Sequence, residues 1–235
     1  MTEQQLRENV AEVRRRMAEA AVKAGRDPAE ILLCAASKTQ DADTVRLAAG
    51  LDIDLFGENR VQELVAKQAA AAYGEKPLHF IGHLQTNKVR QVVGVASLIQ
   101  SVDSAHLLNA IQAQAEKKEL CQDILLEVNI GGEASKSGVS PEELDALVET
   151  AAQMGYVHVC GLMAIPPAQA TPAQTRQYFA QMRQLFERLQ GQRFENVHME
   201  YLSMGMSGDF ESAILEGANL VRVGTSIFGA RNYPV

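Results

Sequence analysis

The sequence has 235 residues, of which 46% are hydrophobic and 22% are charged, a composition typical of globular proteins. Its formal net charge of −7 argues against binding to nucleic acid or anionic membranes, because both need clustered cations. No apolar run approaches the roughly 20 residues that a membrane span requires, and the charged N-terminus has no apolar signal core. We therefore expect a cytoplasmic protein that binds neither nucleic acid nor membrane.

The cysteines give no sign of a disulfide framework or a metal site. Cys34, Cys121 and Cys160 are odd in number and far apart, and no pair has the spacing of metal ligands. Such a pattern is typical of reduced structural thiols in a reducing compartment. We expect no bound metal.

Short apolar segments alternate with helical patterns along the whole chain. An amphipathic helix leads, over residues 1–25, and comes before the first strand. Apolar segments then predict eight strands, over residues 31–37, 53–57, 78–82, 97–102, 123–130, 157–165, 197–203 and 219–225. Several of them are nearly continuous in apolar residues, as are parallel strands that are covered on both faces.

Helical patterns separate these strands, over residues 43–50, 60–73, 104–118, 141–154 and 175–189. Pro141 fits the first turn of its helix, with Ser140 as the cap, and Gly155 fits the end. Residues 166–175, rich in Pro, Ala and Gln, predict a long loop after the sixth strand.

Eight consecutive βα units in a chain of this length predict an α/β protein with a single (β/α)₈ TIM-type barrel. A doubly wound open sheet is the alternative. No internal boundary is visible, so we expect residues 1–235 to form one domain, with the leading helix packed outside the barrel.

Functional groups in such barrels lie at the C-terminal ends of the strands. Lys38 comes just after the first apolar run, in Ser37-Lys38-Thr39. A solvated loop lysine is the ordinary interpretation. A lysine that is partly desolvated at a barrel mouth would instead be a competent amine for imine chemistry.

The ends of the last two strands carry the elements of a phosphate site. After the seventh strand, residues 203–208 supply glycine backbone and serine hydroxyls before a helix. After the eighth, Gly224 and Thr225 stand where barrels often hold a phosphate. Asp209 fits a first-turn acid of the following helix. Arg222, a charge inside an apolar strand, either pairs with a carboxylate such as Glu200 or donates to a ligand.

Polar, glycine-containing loops follow three other strands. Residues 56–60 carry Glu58, which is either a ligand or an ion-pair partner. Residues 81–88 carry His83, and a lone loop histidine is more often non-catalytic. The loop over residues 129–138 carries Lys136 and predicts a lid, an accessory site or neither.

Seven segments, in order and at compatible spacing, resemble the pyridoxal phosphate homeostasis protein family, which has the barrel fold of the alanine racemase N-terminal domain. They are SKT (37–39), FGENRVQE (56–63), HFIGHLQTNK (79–88), VNIGGEASKSG (128–138), GLMAI (161–165), LSMGMSGDF (202–210) and VRVGTSIFG (221–229).

The resemblance implies a bound pyridoxal 5′-phosphate, with Lys38 forming the Schiff base and Arg222 facing the pyridine nitrogen. It further implies a phosphate cup made by Ser203, Gly205, Met206, Ser207, Gly224 and Thr225, and a pocket lined by Asn59, His83 and Met163.

The implied function is homeostasis of the cofactor: buffering it and delivering it to apo enzymes, as a monomer with little or no catalysis. The alternative is a single-domain pyridoxal phosphate-dependent amino-acid racemase. Racemases of this fold take one of two bases, a tyrosine, from a second domain, and we expect none after the last strand. Tyr201 and Tyr233 have no equivalent place. A cofactor-free aldolase would need acid and base groups around Lys38 that we cannot assign.

Overall fold

The computed structural model describes residues 1–133, 136–192 and 194–229. In these residues eight parallel strands pair in chain order and close into a barrel, because the first strand also pairs with the last. The strands are β1 (Leu32–Ala36), β2 (Leu55–Glu58), β3 (Leu78–Phe80), β4 (Leu98–Val102), β5 (Gln122–Val128), β6 (Val157–Ala164), β7 (Val197–Ser203) and β8 (Leu220–Val223). The predicted barrel is confirmed, and the open sheet is excluded.

Helices lie between the strands, as right-handed βα crossovers require. They are α1 (Glu3–Lys23), α2 (Ala42–Ala49), α3 (Val61–Ala69), α4 (Val89–Val92), α5 (Ala105–Lys117), α6 (Leu144–Ala152), α7 (Pro172–Gln190), α8 (Phe210–Leu215) and α9 (Thr225–Phe228). Short 3₁₀ turns, Pro28–Glu30 and Thr86–Lys88, precede β1 and α4.

Three predicted boundaries are wrong. The eighth strand ends at Val223, and a helical turn begins at Thr225. The helix after residue 140 begins at Leu144; Ser140 exchanges hydrogen bonds with Glu143 in the turn before it. The loop after β6 is shorter than predicted, because Thr171 caps α7 with a capping box and Pro172 starts it.

The leading helix α1 packs against helices that follow the last two strands. Its apolar face, including Leu6, Val10 and Val13, is buried in the core between strands and helices. It contacts α8 and α9, and Arg16 of α1 makes two hydrogen bonds to the Glu211 carboxylate of α8, at 2.9 and 2.6 Å.

Apolar and polar side chains are both buried inside the structure. A smaller apolar cluster, made by Leu98, Leu125, Cys160 and Met163, lies apart from the main core. Buried polar side chains are also present, among them Gln100 and Arg222. No helix in the described ranges combines the length and apolar character needed to cross a membrane.

Candidate functional site at the barrel mouth

A cavity of about 370 Å³ opens at the carboxyl ends of the strands, within the range of small-molecule sites. Among the described residues that line it, Lys38 and Arg222 are the charged ones, and no carboxylate, histidine or tyrosine is present. The lining is Ala36, Lys38, Thr39, Gln40, Asn59, Ile81, Ile165, Met206, Ser207, Gly208, Arg222, Gly224, Thr225, Phe228 and Gly229. The cavity wall therefore carries positive charge.

The segment that carries Lys38 is fixed on both sides of the lysine. The Ser37 amide donates to the Gly57 carbonyl at 3.0 Å, which extends the pairing of β1 with β2. Thr39 has a φ of 67°, a backbone conformation that non-glycine residues adopt rarely. Its amide donates to the Glu63 carboxylate at 2.6 Å. The half-buried Lys38 therefore lies two residues after the end of β1, in a segment that hydrogen bonds hold on both sides.

A buried ion pair supports this segment from beneath. Glu58, at the end of β2, is fully buried, and one carboxylate oxygen accepts from the Ser37 hydroxyl at 2.6 Å, from Lys67 Nζ at 2.7 Å and from the Tyr73 hydroxyl at 3.2 Å. Lys67 also donates to the Ser37 carbonyl at 2.8 Å. Burial raises the pKa of Glu58, while the bonds from Lys67 and Ser37 act in the opposite direction.

The turn after β7 and the turn after β8 are joined by one hydroxyl. Ser207 Oγ accepts from the amides of Gly224 and Ser226, each at 3.2 Å. The amides of Ser207, Gly208 and Thr225 have no acceptor in the described part of the chain. Unbonded amides that converge on a cavity are anion-binding groups.

Asp209 shapes this turn and does not cap a helix. Its side chain makes no cap hydrogen bond to α8 and accepts from the Met206 amide at 2.6 Å. Gly205 has a φ of 93°, and a Cβ there would lie 2.6 Å from the Ala213 side chain. Only glycine fits this approach of the turn to α8.

Arg222 begins a chain of hydrogen bonds that crosses the barrel interior. Its Nη1 donates to Ser203 Oγ at 2.5 Å, Ser203 donates to Gln100 Oε1 at 2.6 Å, and Gln100 Nε2 lies 2.9 Å from His79 Nδ1. Arg222 Nη2 donates to the Ala164 carbonyl at 3.0 Å. The predicted partner Glu200 is exposed and forms no ion pair with Arg222 among the described residues. The guanidinium is thereby held at the cavity floor.

Two further interior groups have shifted pKa values. Burial lowers the pKa of His79 to about 3, so His79 is neutral and accepts from Gln100 at Nδ1. Burial also raises the pKa of Glu127 to about 7, with Asp103 adding to the shift and Arg222 opposing it. The barrel interior therefore holds Arg222 near a carboxyl that titrates close to neutrality.

Of the residues predicted for the site, seven line one cavity: Lys38, Asn59, Met206, Ser207, Arg222, Gly224 and Thr225. Asn59 Oδ1 is buried and has no hydrogen-bond partner among the described residues. An unpaired buried acceptor is costly, so a ligand donor is its expected partner.

The other predicted residues lie elsewhere. Ser203 and Gly205 are buried and do not line the cavity. Ser203 belongs to the hydrogen-bond chain from Arg222, and the Gly205 carbonyl accepts from the Arg222 amide at 2.9 Å. Met163 packs in the interior apolar cluster. His83 is exposed and contacts Ser137 and Asp103, at 3.1 and 3.3 Å. Their part in binding stays a prediction.

Sequence reasoning missed the supporting groups Lys67, Tyr73, His79, Gln100 and Glu127. The available signal was polarity inside apolar strands: His79, Gln100 and Glu127 each interrupt an apolar run. Tyr201 packs against the interior apolar clusters, away from the cavity lining, and Tyr233 lies outside the described residues.

Comparison with known proteins gives a consistent family. Residues 2–232 match the family described as alanine racemase, N-terminal domain. The pyridoxal phosphate homeostasis protein of Aquifex aeolicus is 44% identical over 226 residues, covering 96% of this chain and 98% of the relative. The protein of the same name in Pseudomonas aeruginosa is 43% identical, covering 96% of each chain.

Solved structures agree. PipY of Synechococcus elongatus, in a structure with pyridoxal phosphate bound, is 34% identical with a TM-score of 0.82, covering 95% of this chain and all of that one. Alanine racemase of Clostridium difficile shares the barrel alone, at 14% identity and a TM-score of 0.69 over 60% of its length. The chain therefore belongs to the pyridoxal phosphate homeostasis protein family, within the larger alanine racemase N-terminal domain family.

Proposed function

We propose that this protein binds pyridoxal 5′-phosphate in the mouth cavity and keeps it available to the cell, with little or no catalysis of its own. The observation that carries the proposal is the composition of the cavity wall. Two cationic side chains, Lys38 and Arg222, line it together with serine and glycine turns, while no described lining residue is acidic. Such a wall suits an anionic, phosphorylated aldehyde.

The phosphate end fits the turns after β7 and β8. The amides of Ser207, Gly208 and Thr225 have no protein acceptor among the described residues, and hydrogen bonds from amides to an anion are stronger than those between neutral groups. A Cβ at Gly208 would meet nothing within 4 Å, so the turn leaves open space beside these amides. Met206 and Gly224 complete the proposed cup.

Lys38 supplies the amine in this proposal. When bound, pyridoxal phosphate supplies an aldehyde carbon that an amine can attack and a ring that withdraws electrons. The bonds that Ser37 and Thr39 make to Glu58 and Glu63 hold the backbone on both sides of Lys38. The protein thus fixes the backbone that carries the amine before any ligand arrives, which lowers the entropic cost of binding.

Arg222 and Asn59 fit the ring end. A guanidinium donates but cannot accept a proton, so a pyridine nitrogen placed against Arg222 stays unprotonated and the ring remains a weak electron acceptor. Ser203 and Gly205 hold Arg222 in place. We assign His83 and Met163 to the periphery of the site, as predictions without a contact to the cavity.

The same wall argues against the racemase alternative. Racemisation needs a proton carrier on each face of the substrate, and Lys38 is the one proton-accepting side chain among the described lining residues. Tyr201 lies in the interior apolar clusters. A site of this kind binds the cofactor without the second base.

Three finer points belong to the proposal. We place the protein in the cytoplasm, as a single-domain monomer, handing its cofactor to apo enzymes. The reduced-thiol pattern of the sequence supports the compartment. The openness of a mouth formed by turns supports exchange with partners.

The experiment is a titration of cofactor-free protein with pyridoxal phosphate, followed by absorbance, borohydride reduction and peptide mass mapping. Wild type should gain a visible chromophore that borohydride bleaches, with the added mass on Lys38. Lys38→Ala should lose both signals, whereas the loop variant Lys136→Ala should keep them.

Amino-acid racemisation by the same loaded sample should stay at the level of free cofactor. A colourless wild type would contradict the proposal, as would added mass that remains on another lysine in Lys38→Ala. Enzyme-level turnover would restore the racemase alternative. Light scattering and transfer to an apo aminotransferase test the monomer and the hand-over.

A further inference from the structure

A second group of chemically active side chains lies at the opposite end of the barrel from the cavity. Asp123 is near the start of β5, and His158 and Cys160 are near the start of β6. Asp123 and His158 are register partners across the two strands. The spacing of the cysteines in the sequence gave no sign of this group, because strand pairing, and not proximity in the chain, brings Asp123 to the other two.

The donor atoms of the three side chains converge. His158 Nδ1 lies 3.0 Å from Asp123 Oδ1 and 3.4 Å from Cys160 Sγ, and all three donor atoms lie within 4.8 Å of one another. Bonds of 2.0–2.3 Å to a tetrahedral zinc ion place neighbouring ligand atoms about 3.3–3.8 Å apart. The separation of His158 Nδ1 from Cys160 Sγ lies in this range, and its separation from Asp123 Oδ1 is slightly shorter, so adjustment of the side chains would be enough to seat an ion.

Hydrogen bonds link the three side chains to one another. His158 Nδ1 faces both Asp123 and Cys160, and the Cys160 thiol also interacts with the Asp123 carboxylate. A cation can take the same carboxylate and imidazole, together with the thiolate, as ligands.

The group is also accessible. The side chains of His158 and Asp123 are 27% and 49% exposed, whereas Cys160 is buried, so an ion can enter from solvent and meet the thiol at depth. His198 on the neighbouring strand β7 lies edge-on to His158, with ring centroids 5.1 Å apart. Three protein ligands would leave the fourth position of a tetrahedral ion to water.

We propose that Asp123, His158 and Cys160 form a divalent metal site that takes zinc. Carboxylate, imidazole and thiolate are the ligand types that zinc prefers in proteins. The ion ties the start of β5 to the start of β6 and closes the N-terminal end of the barrel. Its role is structural, since the cofactor cavity lies at the other end of the same strands.

The test is metal binding by the full-length protein after chelator treatment and removal of any affinity tag. Zinc is titrated in competition with a chromophoric chelator, and cobalt is added separately as a spectroscopic probe. Wild type should bind one equivalent of zinc, gain thermal stability from it, and show a thiolate-to-cobalt charge-transfer band.

Cys160→Ser should abolish the charge-transfer band. His158→Ala and Asp123→Asn should each weaken zinc binding at least ~100-fold. Loss of a residue that only hydrogen-bonds a metal ligand already lowers metal affinity 10–100-fold, and these two residues are proposed as ligands themselves. Cys121→Ser is the matched control, because Cys121 is an exposed thiol two residues from Asp123, and it should retain full binding.

Retained binding of pyridoxal phosphate by each variant shows that the barrel is folded, and this readout is independent of the metal. The proposal is overturned by wild type that binds no zinc at one equivalent, or by a cobalt band that disappears in Cys121→Ser. Unchanged affinity in Asp123→Asn and His158→Ala would overturn it too.

Discussion

The Glu58 carboxylate lies 2.7 Å from the Lys67 ammonium, and the two side chains are 0% and 6% exposed. Both groups bond Ser37, the residue before Lys38, through its hydroxyl and its carbonyl. The second oxygen of Glu58 has no hydrogen-bond partner among the described residues. A buried pair of this kind adds little net stability, but loss of one partner leaves an uncompensated charge. Its value here is the placement of the Lys38 segment.

Removal of the ammonium should therefore cost more than removal of both charges. Lys67→Met is expected to lower the free energy of unfolding by about 3–5 kcal/mol, and Glu58→Gln in the same chain should recover part of that loss. Urea unfolding of the single and double variants measures the coupling. Lys76→Met is the control, because Lys76 donates to one carbonyl, of Ile53, and should cost only ~1 kcal/mol. Strict additivity would contradict the pairing.

The Glu58–Lys67 pair should also affect how well Lys38 is placed to bind pyridoxal phosphate. With Lys67→Met the Ser37 carbonyl keeps only the Gln40 amide as a donor. The segment carrying Lys38 should then be held less firmly, and binding of pyridoxal phosphate should weaken by roughly 10-fold, the effect of ~1.4 kcal/mol. Titration at a temperature where both variants are folded checks this against Lys76→Met. Equal affinities in the two variants would leave the ion pair a purely structural role.

Substitution of Ser203, which lies within the hydrogen-bond chain from Arg222, should lower the free energy of unfolding. Ser203→Ala removes the acceptor of the guanidinium and the donor to Gln100, and the stranded buried groups should cost about 1–3 kcal/mol. Ser97→Ala, which loses one bond from the hydroxyl of an exposed residue to the Leu78 carbonyl, should cost less. Denaturant midpoints, at constant m-value, measure the stability lost by each variant. An equal loss in the two variants would show that the hydrogen bonds around Ser203 contribute independently of one another.

Glu127 should make stability depend on pH. Its pKa of about 7, against 4.5 for the ordinary group, means that the folded protein keeps a proton that the unfolded chain releases. Its stabilising contribution is complete below pH 4.5 and is lost as pH rises through 7, by up to about 3 kcal/mol. Glu127→Gln should thus gain stability relative to wild type at pH 8 and match it near pH 4.

Unfolding of cofactor-free wild type and Glu127→Gln across this range isolates the effect. The pKa of His79 is lowered to about 3, so below pH 6.5 His79 binds a proton in the unfolded chain but not in the folded protein. Its contribution to stability therefore rises with pH in this range, opposite to that of Glu127. Because His79 is present in both proteins, it cancels in the difference. A difference that does not vary with pH would rule out the shifted carboxyl.

Gly161 should tolerate no side chain. It has a φ of 145°, and a Cβ there would lie 1.9 Å from the Tyr201 carbonyl oxygen, at a register shift between β6 and β7. Gly161→Ala should cost at least ~3 kcal/mol. Gly155→Ala, where nothing lies within 4 Å, should stay within about 1 kcal/mol of wild type, and thermal melting of the two shows the contrast.

The barrel and the core of the site follow from local sequence patterns. Apolar runs alternating with helical patterns predict the βα units, and the rule that function lies at strand ends selects Lys38, Ser207, Arg222, Gly224 and Thr225, which do line one cavity. Strand ends do not follow in the same way, since the predicted eighth strand runs to residue 225, whereas β8 ends at Val223 and a helical turn begins at Thr225. Hydrophobic periodicity does not record where a hydrogen-bonded turn begins.

What lies inside the barrel was decided by closure of the sheet. Which face of a strand points inward is set by pairing with both neighbours, so the meeting of Arg222 with Ser203 and Gln100 could not be predicted from any one segment. The same holds for Asp123 and His158, which are 35 residues apart in the chain and 3.0 Å apart in space. Sequence determined the units and their order because these depend on short-range periodicity; only tertiary structure determined the partners, because those depend on strand register.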